Sequence, residues 1–190
     1  MFSESGPAPM APAWRAVMRC VGRSLVLLAR RRVHLPTENV GRVLQFADGS
    51  TTRVYRETTL DVGPALEPCV LVVAFKLRFL RGAAVHRLFE AESLLNTPLF
   101  VGFPGFASKL WCSHDTHGVY RGLYEWDGPS RARHYAKALW RVLALVSVPG
   151  TIGYKVLPGL TRDEVLADPA RMVGAAAGSQ DAWWRLQTQA

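Results

Sequence analysis

The sequence predicts an α+β fold: an antiparallel four-stranded sheet with two helices on one face. Two observations carry this reading. Between Cys69 and Leu157, two stretches of helical period alternate with four short strand-like runs in the order β-α-β-β-α-β. Turn signals separate the runs, among them Asp127-Gly128-Pro129, Pro149-Gly150 and Pro158-Gly159. The 190 residues are 49% apolar, enough for one domain with extensions around a real core.

Residues 1–13 are rich in proline and read as a loose tail. Residues 14–66 read as an extension ahead of the main domain. From Trp14 to Arg32 the apolar residues Trp14, Val17, Met18, Val21, Leu25 and Leu28 recur on one helix face. Arg15, Arg19 and Arg23 form a basic row on another. Such a helix either packs on the domain with its arginines solvated or lies on an anionic surface. Pro36 ends it. Val40–Leu60 reads as a β-hairpin, with Asp48-Gly49 as its turn.

Residues 67–159 form the main domain. "CVLVVAFKLRF", Cys69–Phe79, is the first strand, apolar on both faces at its start and so central in the sheet. Val85–Leu95 reads as the first helix. Ala107–Ser113 is the second strand, "HDTHG" a turn, and Val119–Trp126 the third strand. Pro129 suits the first turn of a helix running to about Ser147, and "TIGYKVL" supplies the last strand. Residues 160–190 are a helical tail with Trp183-Trp184, an adjacent pair expected to dock on its own domain or on a partner. The β-α-β-β-α-β order is the split βαβ, ferredoxin-like arrangement. It leaves one sheet face open, and the row Val70, Val72 and Ala74 argues that this face is covered. A second copy is the economical cover, so a homodimer is expected.

The balance of 23 Lys and Arg against 15 Asp and Glu, a net charge of +8, favours anionic partners. Six arginines and no acid lie between Trp14 and Val33. Specific nucleic-acid binding is not expected, because no recognition module accompanies the charge. Cys20, Cys69 and Cys112 are widely spaced and suggest neither a disulfide framework nor a zinc site. No apolar run is long enough for a membrane span or a secretory signal. A cytoplasmic location, peripheral at a membrane if the basic helix binds one, is the expectation.

Tyr120, Tyr124 and Trp126 share one face of the third strand, with Gly122 among them. They are either the wall of a site for a flat apolar ligand or part of a core or dimer seam. Trp111 on the second strand and Tyr135 on the following helix are further candidates for such a wall. The candidates for a general base are His86, four residues before Glu90 on a shared helix face, and His134. His114, Asp115 and His117 read as turn chemistry rather than a metal site. Arg121 alternates away from the tyrosines and is expected on the opposite face. No nucleophile elbow, phosphate loop or dinucleotide fingerprint is present, so no metal and no cofactor is expected.

The junction "GVYRGLYEWDGPSRARHYAKAL" and the segment "VGFPGFASKLW" resemble the dimeric α/β-barrel superfamily. They are most similar to small monooxygenase-like proteins of the antibiotic-biosynthesis and YdhR type. Gly122, Tyr124, Trp126, Ala132 and Tyr135 stand where those proteins show a glycine, an aromatic strand and an Ala-x-x-Tyr step. Pro104-Gly105-Phe106 matches their Pro-Gly-Phe before the second strand. The resemblance covers roughly residues 69–157. It implies a homodimer with an apolar pocket in each subunit, and oxidation of aromatic or polyketide-like substrates by dioxygen without metal or flavin. The alternative is a non-catalytic ligand-binding or scaffolding homodimer, brought to an anionic membrane by Arg15, Arg19 and Arg23.

Overall fold

The computed structural model describes residues 6–78, 93–175 and 182–187. Its elements are α1 (Met10–Ala29), β1 (Val33–His34), β2 (Val43–Gln45), β3 (Thr51–Leu60), β4 (Pro68–Lys76), a 3-10 turn (Ser93–Leu99), β5 (Phe106–Cys112), β6 (Val119–Asp127), α2 (Pro129–Val146), β7 (Gly153–Pro158), α3 (Arg162–Ala167) and α4 (Arg171–Ala175). The expected helix at Val85–Leu95 lies largely outside the described residues, and His86 with it.

β4, apolar on both faces, is an interior strand with a partner on each side, as its pattern requires. It pairs antiparallel with β6 from Pro68 opposite Asp127 to Lys76 opposite Val119, and with β7 from Cys69 opposite Pro158 to Ala74 opposite Gly153. β6 pairs on its other side with β5. The order β7-β4-β6-β5 is that of the split βαβ unit, and it confirms the ferredoxin-like core.

The sheet has seven strands, not four. β3 adds to the free edge of β5, from Val54 opposite Cys112 to Thr59 opposite Ser108, and carries β1 and β2 with it. The hairpin of residues 40–60 is thus a continuation of the main sheet. Its local signal was legible: Gly49 takes φ +81° in the turn and Asp48 accepts the Ser50 N–H. Its pairing with a strand some fifty residues later depends on non-local contacts that no local pattern encodes.

Each face of the sheet has its own core. On the first, Leu71, Val73, Phe106, Trp111, Tyr124 and Trp126 pack under α1 and α2. On the second, Val70, Val72, Ala74, Leu110, Leu123 and Leu157 are covered by the chain itself. Leu44 and Phe46 of the hairpin close one part; Val165, Leu166, Met172, Trp184 and Leu186 close the rest. This corrects the reason given for a second copy. The face is closed, as Val70, Val72 and Ala74 demand, but by the C-terminal segment, and the tryptophan pair docks on its own domain.

α1 buries Ala13, Val17, Cys20 and Ser24, so of the expected apolar face only Val17 is fully inside. Trp14, Met18, Leu25 and Leu28 are exposed. Close packing explains the reversal. A Cβ on Gly102 would stand only 2.1 Å from the Cys20 carbonyl oxygen, so α1 lays its backbone directly on that glycine. Only small side chains allow this approach. Ser24 Oγ and Cys20 Sγ then donate to the Pro98 carbonyl at 2.9 and 3.3 Å.

Candidate functional site

β6 enters from a tight turn and leaves into α2, and both ends are held. Asp115 in the turn accepts the backbone N–H of His117 and of Val119. At the far end Asp127 accepts the Leu66 and Glu67 N–H groups, which ties the preceding linker to the strand. α2 then starts at Pro129 after Gly128, whose φ of +100° suits glycine. The strand is therefore a fixed rail, and its even positions face α2.

Between this rail and α2 lies a cavity of about 510 Å³, in the size range of small-molecule sites. Trp111, Tyr120, Tyr124 and Phe100 supply aromatic walls, Tyr135 and Leu139 come from α2, and Phe75 and Tyr55 from the flanking strands. Leu145 and Val146 line it while remaining exposed, which marks the mouth. The aromatic lining is ordered. Phe75 stacks on Tyr120 with centroids 5.9 Å apart and planes 16° from parallel. Phe100 meets Trp111 edge-on at 5.2 Å, and Thr58 Oγ1 accepts the Trp111 indole N–H at 3.0 Å.

Gly122 has a use the sequence could not show. A Cβ there would come within 2.7 Å of Tyr124 Cε2, so the Tyr124 ring folds over the glycine of its own strand. That places its hydroxyl where Tyr135 donates to it at 3.2 Å. Burial pushes both hydroxyls well above the ordinary tyrosine range, so each stays protonated at neutral pH.

Lys109 is the residue that sequence reading missed. It lies two positions before Trp111 on β5 and shares its face, directly opposite Tyr124 on β6. Its Nζ is 3.0 Å from the Trp111 ring centroid and 4.7 Å from those of Phe100 and Tyr124. Among the described residues no carboxylate or hydrogen-bond acceptor reaches it. Burial, reinforced by repulsion from Arg56, pushes its pKa well below the ordinary lysine range. The rings oppose this. Each cation–π contact returns about 0.5–2 kcal/mol, whereas the effective cost of burying an ammonium is several kcal/mol. The Arg56 guanidinium also sits 3.8 Å from the same Trp111 centroid, and burial lowers its own pKa to about 10. Two cations crowd one ring, and burial and their mutual repulsion both shift Lys109 toward the neutral amine. An alternation of Lys109 with Trp111 in "SKLW" was the available signal.

The other candidates divide. Trp111, Tyr120, Tyr124 and Tyr135 all line the cavity. Trp126 does not: it is fully buried between Phe106 and Tyr135, at centroid distances of 5.6 and 4.7 Å. It falls below the cavity because the strand runs on under the N-terminal turn of α2. His134 is exposed, beside Phe103 rather than the cavity, because α2 turns Ala132, Tyr135 and Leu139 inward instead. His86 lies outside the described residues. Among those residues, no cluster of His, Cys, Asp or Glu is arranged to hold a metal. Arg121 does face the opposite side, where it pairs with Asp115 at 2.6 Å and Asp48 at 3.0 Å. Cys20, Cys69 and Cys112 are free and buried.

Strand order and cavity together define a ferredoxin-like α+β domain with an internal aromatic site. No family model and no curated protein matches the chain. Among solved structures it is similar to an uncharacterised ferredoxin-fold protein related to antibiotic biosynthesis monooxygenases from Listeria monocytogenes. The two share 15% identity over 65% of this chain and 89% of that one, with a TM-score of 0.39. A likeness so distant carries no argument, and the fold assignment rests on the strand order itself.

Proposed function

We propose that this protein binds a small, flat apolar or aromatic molecule, polyketide-like in character, and oxidises it with dioxygen as a cofactor-independent monooxygenase-like enzyme. The aromatic cavity carries the reading. Its walls offer ring faces for stacking, and among its few polar residues are the paired tyrosines Tyr124 and Tyr135, Lys109 and Asn96. An enzyme needs an acid or base at the ligand as well as an apolar lining, and Lys109 and Tyr124 supply both kinds of group. Mass spectrometry of ligands carried through native purification tests the binding. An aromatic or polyketide-like compound, lost from a Trp111→Ala variant, is the expected result. Oxygen uptake on adding the recovered compound tests the oxidation. A protein that retains no such compound and consumes no oxygen with aromatic candidates would overturn the reading.

A second reading is favoured by one observation, the outward face of α1. Met10, Trp14, Met18, Leu25 and Leu28 are exposed there, and Arg15, Arg19 and Arg23 flank them. No described helix is long and apolar enough to cross a membrane. An apolar stripe bordered by arginines instead suits a helix lying flat on an anionic bilayer, with its rings and methionines in the acyl boundary.

A further inference from the structure

The proposed ligand site holds an amine under conditions that make amines reactive, and the oxidation reading uses it only to move a proton. A lysine becomes a nucleophile when it is desolvated in an apolar pocket or placed beside another cation. Lys109 meets both conditions. It lines the cavity, it is caged by Phe100, Trp111 and Tyr124, and the Arg56 guanidinium shares its Trp111 contact. It has no hydrogen-bond or ion-pair partner among the described residues, so only the ring faces favour the ammonium form.

We infer that Lys109 is a carbonyl-capturing amine, and that the cavity takes an aromatic aldehyde or ketone which it binds covalently as an imine. The Nζ lone pair attacks the carbonyl carbon and forms the C–N bond. The carbonyl oxygen takes up a proton as one N–H proton is lost, giving a carbinolamine. The C–O bond then breaks, and the oxygen leaves as water with the second nitrogen proton. One amine and one carbonyl yield one imine and one water, with no oxidant or reductant. Tyr124 relays that second proton: its hydroxyl gives its own proton to the departing oxygen and takes the nitrogen proton in exchange, so it ends as it began. Its hydroxyl accepts the Tyr135 proton at 3.2 Å and keeps its own for the cavity. The Tyr124 ring centre lies 4.7 Å from the Lys109 amine, across the strand pair that sets the two residues opposite each other.

This inference rests on the cavity being a ligand site, and the test separates the two. The full chain is incubated near neutral pH with benzaldehyde and cyanoborohydride, digested and analysed by mass spectrometry. Binding of benzaldehyde and of benzyl alcohol is followed in parallel by tryptophan fluorescence. The expected result is a benzyl adduct on Lys109 in preference to Lys76, Lys137 and Lys155, the other lysines of the chain. Lys109→Met keeps an apolar stem and loses the adduct, while its thermal melting temperature stays the same or rises. Tyr124→Phe keeps the ring and slows labelling by a larger factor than it weakens benzyl alcohol binding. If both probes bind but Lys109 takes no adduct, the imine inference falls and the aromatic site stands. If adducts favour the other three lysines, Lys109 is an ordinary buried cation and the inference falls. If neither probe binds, the ligand site and the inference fall together.

Discussion

Tyr124 occupies the space that a side chain on Gly122 would need, with its Cε2 2.7 Å from the position of a Cβ. The aromatic wall of the cavity therefore depends on a glycine two residues away on the same strand. Gly122→Ala must push the ring off the strand or the strand off its neighbours. We expect a loss of about 1–3 kcal/mol, typical of an added carbon in a packed site, measured by urea denaturation. Ligand retention should fall with it, because the displaced ring enters the cavity. A variant of unchanged stability and ligand content would show that the ring has another place to go.

Trp126 and Trp111 separate the core from the site. Trp126 is sealed between Phe106 and Tyr135 and Trp111 faces the cavity. Trp126→Ala is expected to cost about 3–5 kcal/mol, as for a large aromatic deleted from a core. Trp111→Phe is expected to weaken ligand binding by roughly five- to thirtyfold, equivalent to about 1–2 kcal/mol. Isothermal titration with the recovered ligand, alongside denaturation curves, distinguishes the two outcomes.

Arg121 and Asp115 form a buried pair on the opposite face, 3% and 2% exposed. Arg121 also holds Asp48 of the hairpin turn, donates to the Trp183 carbonyl, and lies 4.6 Å from the Phe46 ring centre. It thus ties the hairpin, the 114–118 turn and the C-terminal segment together. Arg121→Ala leaves a buried carboxylate without its partner and is expected to cost about 3–5 kcal/mol near neutral pH.

The same pair sets a pH dependence. Burial alone would raise the Asp115 pKa, but the N–H groups of Val119 and His117 and the Arg121 guanidinium together hold it below the ordinary value. The unfolded chain therefore takes up its proton first as pH falls. The stabilisation is complete above the unfolded value of about 3.9 and is lost as pH drops through the lower folded value. The stability gap between wild type and Arg121→Ala should be widest at neutral pH and narrow below about pH 4. A gap that is constant with pH would remove Asp115 from the account.

The exposed face of α1 makes a separate prediction. Replacing Trp14, Met18 and Leu25 with serine should abolish sedimentation with phosphatidylserine vesicles, and 1 M salt should weaken it by screening Arg15, Arg19 and Arg23. These residues are exposed, so the thermal melt should be nearly unchanged. Wild-type protein that stays in the supernatant at low salt would remove the membrane reading.

Local pattern carried most of the core. The both-faced apolar run of β4, the aromatic alternation of β6 and the Pro129 start of α2 each follow from residues within one element, where a period and a turn residue leave little choice. The site was half legible for the same reason, since Tyr120 and Tyr124 must share a face once β6 is a strand. Which part of that face was cavity and which was core was not. Trp126 keeps the alternation but lies under the first turn of α2, and strand periodicity does not see where a helix ends.

By itself, then, the sequence determined the split βαβ core, the strand faces and the need to cover Val70, Val72 and Ala74. Each of these is a consequence of covalent geometry and apolar periodicity along a few neighbouring residues. Only the tertiary structure decided what met those faces. It brought β3 to the edge of β5, laid the C-terminal tryptophans where a second copy was expected, and turned α1 over so that Gly102 could meet Cys20 and Ser24. It also placed Lys109 among three rings, with a second cation and no acid among the described residues. These outcomes depend on the close fit of segments far apart in the chain, where the space left by one missing side chain outweighs the hydrophobicity of a whole helix face.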